Sequence, residues 1–342
     1  MYAHKMFANK ISAYCYLATP CPLLLNKIQI YTLIVDMRSY LRIQSPGMQL
    51  VLFMGLLLAG FVFSSFLAAI FLVANGSVSI GQKSFDFSDP KLVSALKSLQ
   101  VFYTIAAFLL PALIFALITF RYKSLYFLGF RSSPKINFYL FAIVLMLVSV
   151  PFASWLGELN EHIPLAKWMM DTEKEAEQQM TAFLKTNSSK DVVINLLVIA
   201  LIPAICEEAC FRGALQRIMI NIFKSPWIGI VVTGIMFSAF HMEFAGFLPR
   251  MFLGILLGAL YWYSGSLWVS IAAHFFNNGA QLIAILYYPK LANENPSIPV
   301  YFAVVSGLLV WGILLLIKRQ SKASYNTVYE FEELNDQNGF LT

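Results

Sequence analysis

Long apolar runs separated by short polar stretches dominate the chain, and eight of them approach the roughly 20 residues a helix needs to cross a bilayer core. Read in order, the pattern predicts spans at about 49–74, 99–120, 138–157, 191–223, 226–244, 249–264, 267–288 and 298–317. In hydrocarbon the backbone must satisfy its own hydrogen bonds, so each run is expected to be a helix and the fold class all-α, a polytopic membrane protein of about eight transmembrane helices. The boundaries carry their own chemistry. Ser188 or Ser189 is placed to cap the fourth span, Ser225-Pro226 reads as N-cap and N1 of the fifth, Pro249 and Pro299 open the sixth and eighth, and Gly265 gives the turn into the seventh. Pro151 falls inside the third span, where a neighbouring helix can re-satisfy the freed backbone. Pro203 lies one turn before a pair of glutamates, where it is expected to widen the helix. Gly254 and Gly258 form a small-xxx-small face that lets another helix approach closely.

Between Glu158 and Lys190 the chain is too charged to span, and it is expected to form a surface helix with a solvated face. Residues 1–36 are interrupted by Pro20, Pro22 and Lys27 and match no signal peptide, and Met37-Arg-Ser-Tyr-Leu-Arg is a more ordinary start for a membrane protein. The leader, 1–48, is therefore expected to be dispensable, residues 49–189 to hold the N-terminal helices and their extramembrane loop, and the tail, 319–342, to be polar and disordered.

Composition agrees with this reading: 59% of the residues are hydrophobic and 12% charged, a profile foreign to a soluble domain of 342 residues. The net charge of +6 then signals loop orientation rather than a nucleic-acid partner. Arg38, Arg42, Arg121, Lys123, Arg131, Lys135, Arg217, Lys224, Lys318, Arg319 and Lys322 fall on one side of an eight-span chain, which predicts both termini in the cytoplasm. The size and plain composition favour a bacterial plasma membrane. Of the four cysteines, Cys206 and Cys210 are four apart on a helix, a spacing open to metal binding but more often that of small apolar residues.

Charge inside hydrocarbon costs about 2.5 kcal/mol or more per ionised group, so intramembrane charges point to partners and a task. They cluster in Ile205-Cys-Glu207-Glu208-Ala-Cys-Phe-Arg212. Residues four apart share a helix face, which pairs Glu208 with Arg212, Phe237 with His241, and His274 with Asn278, and leaves Glu207 about 100° away from Arg212. A free carboxylate, two imidazoles and a carboxamide are the groups needed to activate water against a peptide carbonyl. Glu207 is the candidate base, His241 orients the water, and His274 and Asn278 donate to the oxyanion. Glu208 and Arg212 read as a structural ion pair, Phe237 as a pocket wall, and Asn277 as a support beside the His274 face.

Taken together, Glu207-Glu208-x-x-x-Arg212, Phe237-x-x-x-His241 and His274-x-x-x-Asn278, in this order on successive helices, resemble the three motifs of the CAAX prenyl protease and bacteriocin-processing family, also called Abi. The likeness covers roughly 190–285 and places the catalytic core at 190–288, with residues 289–318 as a final transmembrane helix. It implies an intramembrane endopeptidase in which the first glutamate and first histidine activate water, the second histidine and the asparagine form the oxyanion hole, and no cofactor is needed. The implied partners are the lipid bilayer and a protein or peptide substrate, a prenylated one among the candidates. A metalloprotease reading keeps the site but puts zinc on Glu207, His241 and His274; it lacks the His-Glu-x-x-His type of signature. A transporter or an idle scaffold could use the same polar residues, but the broken helices of repeated halves are missing and every motif position is intact.

Overall fold

The computed structural model describes residues 45–79, 85–120, 124–131, 135–185, 188–292 and 298–325. The expectations for the leader before Ser45, including Met37, and for the tail beyond Tyr325 lie outside the described residues, which are helical with no strand. In chain order they form α1 (Pro46–Ala74), α2 (Pro90–Thr119), a short α3 (Ser124–Phe127), α4 (Ile136–Glu161), α5 (Lys167–Leu184), α6 (Ser189–Phe223), α7 (Pro226–Phe240), α8 (Phe247–Ser264), α9 (Leu267–Tyr287) and α10 (Val300–Gln320). Seven of these, α1, α2, α4, α6, α8, α9 and α10, are long and apolar enough to cross a membrane. The eighth apolar helix, α7, has 15 residues. It stops short of the expected 244 because His241 caps it and Met242 takes a left-handed turn with φ 55°. The protein is an integral, multi-pass, all-α membrane protein.

Local chemistry sets the helix ends. The Ser45, Asp89 and Ser225 side chains accept from the first-turn N–H groups of α1, α2 and α7, each followed by proline at N1, and Ser188 accepts from Asp191 N at the start of α6. Gly265, φ 68°, turns α8 into α9. Helix α8 starts at Phe247, two residues before Pro249, which still lies in the first turn, where its missing N–H is not needed.

Prolines inside helices are accommodated in two ways. Pro111 and Pro203 each follow a π-helical stretch, Ile105–Leu109 in α2 and Leu196–Leu201 in α6, whose wider turn makes room for the ring. At Pro151 the α4 ladder is open, and the Ser306 hydroxyl of α10 enters it, accepting from Phe152 N at 3.2 Å and donating to Val148 O. The third π stretch, Ala209–Gln216, contains Arg212 and has no proline.

The packing that positions the site runs through α6, α7 and α8. A Cβ at Gly254 would stand 3.1 Å from the Phe237 ring and 3.2 Å from Gly234 Cα, so the expected small-residue face is where α7 approaches α8. Arg212 and Gln216, four apart on α6, donate to the carbonyls of Gly254 and Gly258, four apart on α8, both at 3.0 Å. The bare glycine backbone offers α6 a ladder of acceptors inside the bundle.

Candidate active site

Glu207 and Glu208 are both buried on α6 but have opposite surroundings. Glu208 accepts three hydrogen bonds. Its Oε1 accepts from Arg212 Nη1 at 2.7 Å and from His274 Nδ1 at 2.9 Å, and its Oε2 accepts from Ser270 Oγ. Both members of the Glu208–Arg212 pair are 0% exposed. The Arg212 guanidinium also lies 4.4 Å above the Phe237 ring, which meets His241 edge-on at 4.7 Å and His274 at 5.9 Å. Phe237 is the apolar wall against which the arginine and both imidazoles pack.

Glu207 Oε2, by contrast, is buried and makes no hydrogen bond. Two ring nitrogens face it, His241 Nε2 at 3.7 Å and His274 Nε2 at 3.9 Å. The other nitrogen of each ring is tied to an acceptor: His241 Nδ1 donates to Phe237 O at 2.8 Å, and His274 Nδ1 to Glu208 Oε1. These acceptors assign the Nδ1 protons, so in a neutral ring each Nε2 presents its lone pair toward Glu207. An orphaned buried carboxylate oxygen beside two oriented imidazoles is an arrangement that packing alone does not call for.

Asn278 lies one turn after His274 on α9 and lines the same cavity, of about 690 Å³, as Glu207, Phe237, His241, His274 and Asn277. The Asn277 amide donates to Asn278 Oδ1 at 3.2 Å, which leaves Asn278 Nδ2 as the end able to donate elsewhere. Apolar side chains of Met146, Val198, Leu253 and Leu257 continue the wall, and α5 roofs it with Ala176, Gln179, Met180 and Phe183. A second cavity of about 670 Å³, lined by Phe61, Tyr103, Phe108 and Phe240, also reaches Glu207 and His241. Gln100 and Glu243 also touch both cavities.

All four residues expected at the reaction centre thus border one cavity, with Glu208, Arg212, Phe237 and Asn277 around them. Cys206 and Cys210 are free thiols buried in an apolar cluster with Phe108, Phe211 and Phe237. Among the described residues no three His, Cys, Asp or Glu side chains stand at metal-ligand spacing, so a zinc ion on Glu207, His241 and His274 would require the three to draw together. Sequence reasoning missed Ser270 and Arg250. Ser270 sits four residues before His274, so the same i,i+4 rule could have found it.

Fold and site together define a polytopic helical membrane protein with a buried carboxylate–imidazole centre. Residues 189–280 match the family described as Type II CAAX prenyl endopeptidase, Rce1-like, and the resemblance read from the three motifs is borne out over that segment. The chain is also 32% identical over 107 residues to an uncharacterized 24.3 kDa protein of Escherichia coli, a match covering 29% of this chain and 48% of that protein. The chain thus spans about half the length of this curated relative. No solved structure matches.

Proposed function

We propose that the protein is an intramembrane endopeptidase that hydrolyses a peptide bond of a membrane-associated substrate, by CAAX-type C-terminal processing or bacteriocin-like maturation, with water activated by Glu207 and His241. The observation that carries this reading is the unpartnered Glu207 Oε2 facing His241 Nε2 at 3.7 Å. Both atoms are acceptors, and one water molecule can donate a hydrogen to each, which turns its lone pair toward a substrate carbonyl. On attack Glu207 takes the proton and returns it to the leaving amine. Asn278 Nδ2 is a donor for the oxyanion. His274 Nε2 is one when the ring carries both protons.

The metal reading has one observation in its favour. Both Nε2 lone pairs point at one carboxylate oxygen, and both Nδ1 protons are held by acceptors, as ligating imidazoles require. Elemental analysis of the purified protein separates the two. Direct activation by Glu207 predicts less than one transition metal per chain and cleavage of an S-prenylated peptide after prolonged chelation. One tightly bound ion per chain, lost together with activity in His241→Ala, supports the metalloprotease.

A further inference from the structure

Arg250 is the only lysine or arginine among the described residues lining the 690 Å³ cavity, and the hydrolytic reading gives it no task. It stands in the first turn of α8, where the backbone donors are already taken. Phe247 N donates to Phe244 O at 3.2 Å, Leu248 N to Asn160 Oδ1 at 2.9 Å and Arg250 N to Gly246 O at 3.1 Å, while Pro249 has no donor. An anion arriving here would meet the guanidinium, backed by the positive end of the helix dipole, rather than open N–H groups.

The guanidinium holds Glu243 with two donors, Nη1 to the Glu243 carbonyl at 2.9 Å and Nη2 to its carboxylate. A guanidinium carries five N–H groups and binds carboxylates through pairs of them. Glu243 is also the looser partner, since its side chain is 39% exposed against 20% for Arg250. It can turn outward to water while the arginine stays at the cavity wall. Leu253 and Leu257 line the same cavity as Arg250 and Glu207, which suits apolar side chains on a ligand with one negative end.

We propose that Arg250 anchors the free α-carboxylate of the peptide substrate, displacing the Glu243 carboxylate that occupies it at rest. This rests on the endopeptidase reading and deepens it: with Arg250 and Glu207 lining one cavity, the scissile bond lies a few residues before a free C terminus. The Arg250–Glu243 pair then acts as an internal competitor, which sets the two residues against each other.

The test uses the full-length Glu207→Gln protein in detergent and three dye-labelled probes, each with an S-prenylated cysteine and three further residues. One ends in a free carboxylate, one in a carboxamide, and one is a carboxamide with glutamate as its last residue. The free acid is expected to bind about tenfold or more tighter than the plain amide, the scale of one charge-assisted hydrogen-bond pair. That ratio should fall toward 1 with Arg250→Gln, survive in part with Arg250→Lys, and rise with Glu243→Gln, which removes the competitor's charge. If Arg250 serves only to brace the turn after His241, Arg250→Gln and Glu243→Gln will instead weaken acid and amide alike, and the proposal is overturned. Equal binding of acid and amide to the unaltered pair overturns it as well, as does absence of binding by any probe, and a glutamate probe matching the free acid reassigns the anchor to side-chain carboxylates. Because binding is read without turnover, failure of the endopeptidase reading shows separately, as wild-type protein that binds the free acid but leaves it uncut.

Discussion

Two adjacent glutamates acquire different chemistry here because a helix turns them to different neighbours. Glu208 is committed to Arg212, His274 and Ser270, whereas Glu207 Oε2 is left to the cavity. Removing one partner of a buried ion pair strands the other charge, so Arg212→Ala is expected to cost about 3 kcal/mol or more in a denaturation series in detergent. Ser270→Ala removes one donor to a buried carboxylate and is expected to cost about 1–3 kcal/mol, with lower kcat/KM because Glu208 also orients His274. Unchanged stability in both variants would refute the assignment of Glu208 as a structural anchor. At this scale the four-residue rule made much of the cluster legible from sequence. It named Arg212 for Glu208 and linked His241 to Phe237 and Asn278 to His274. Arg250 escaped it because its partner Glu243 is seven residues away around a helix end, a distance the rule does not cover.

Most span ends agree with the apolar runs, prolines and caps to within a turn, because those signals are local; the exception is α2, which starts at Pro90 rather than the expected 99, because Asp89 caps a first stretch whose polar residues, Lys91, Ser94 and Lys97, broke the apolar run. What the runs could not show is which faces meet. The charged segment read as a solvated surface helix is α5, and its outer face does carry Asp171, Lys174, Glu175 and Glu177 exposed. Its inner face, however, closes the cavity, held at one end by Ala245 N donating to Glu173 Oε1 at 2.9 Å and at the other by Asn195 Nδ2 donating to Phe183 O at 2.7 Å. Nothing in composition announces a π stretch without proline, so Ala209–Gln216 was invisible in the sequence. Helix contacts make a paired prediction. A Cβ at Gly229 would stand 2.7 Å from Ile220 N and 2.8 Å from Ile220 Cα, so Gly229→Ala must push α7 off α6, at an expected cost of about 1–3 kcal/mol. A Cβ at Gly312 of α10 meets nothing within 4 Å, and Gly312→Ala should leave stability equal or raise it by about 0.5–1 kcal/mol. Equal losses in the two variants would mean that the α6–α7 contact is not as close as described.

Across the whole molecule, the helix directions put the cavity at one end of the bundle. Asn160 at the end of α4 accepts from Leu248 N at the start of α8, beside the turn that follows His241, while Gly129 accepts from Leu267 N at the other end. The cavity roof, α5, therefore lies on the side opposite Arg131 and the Lys318–Arg319 end of α10. We propose from the lysine and arginine bias that the latter side is cytoplasmic. Reporter fusions after Arg131 and after Lys322 should then both read cytoplasm, and one after Lys174 the opposite side. Opposite locations for the first two would break the eight-crossing topology, in which α7 must cross despite its 15 residues. The Lys174 fusion also shows which side of the membrane the α5 end of the cavity faces.

The central claim is that the Glu207 carboxylate takes the proton from the attacking water. Its most direct test is the cleavage rate of an S-prenylated peptide by purified wild-type and Glu207→Gln protein, with products identified by mass and folding checked by thermal unfolding. Glutamine preserves the shape of the side chain and removes the base, so the variant should bind the peptide, unfold at an equal or higher temperature, and release no product. A Glu207→Gln protein that cleaves at the wild-type rate would contradict the account.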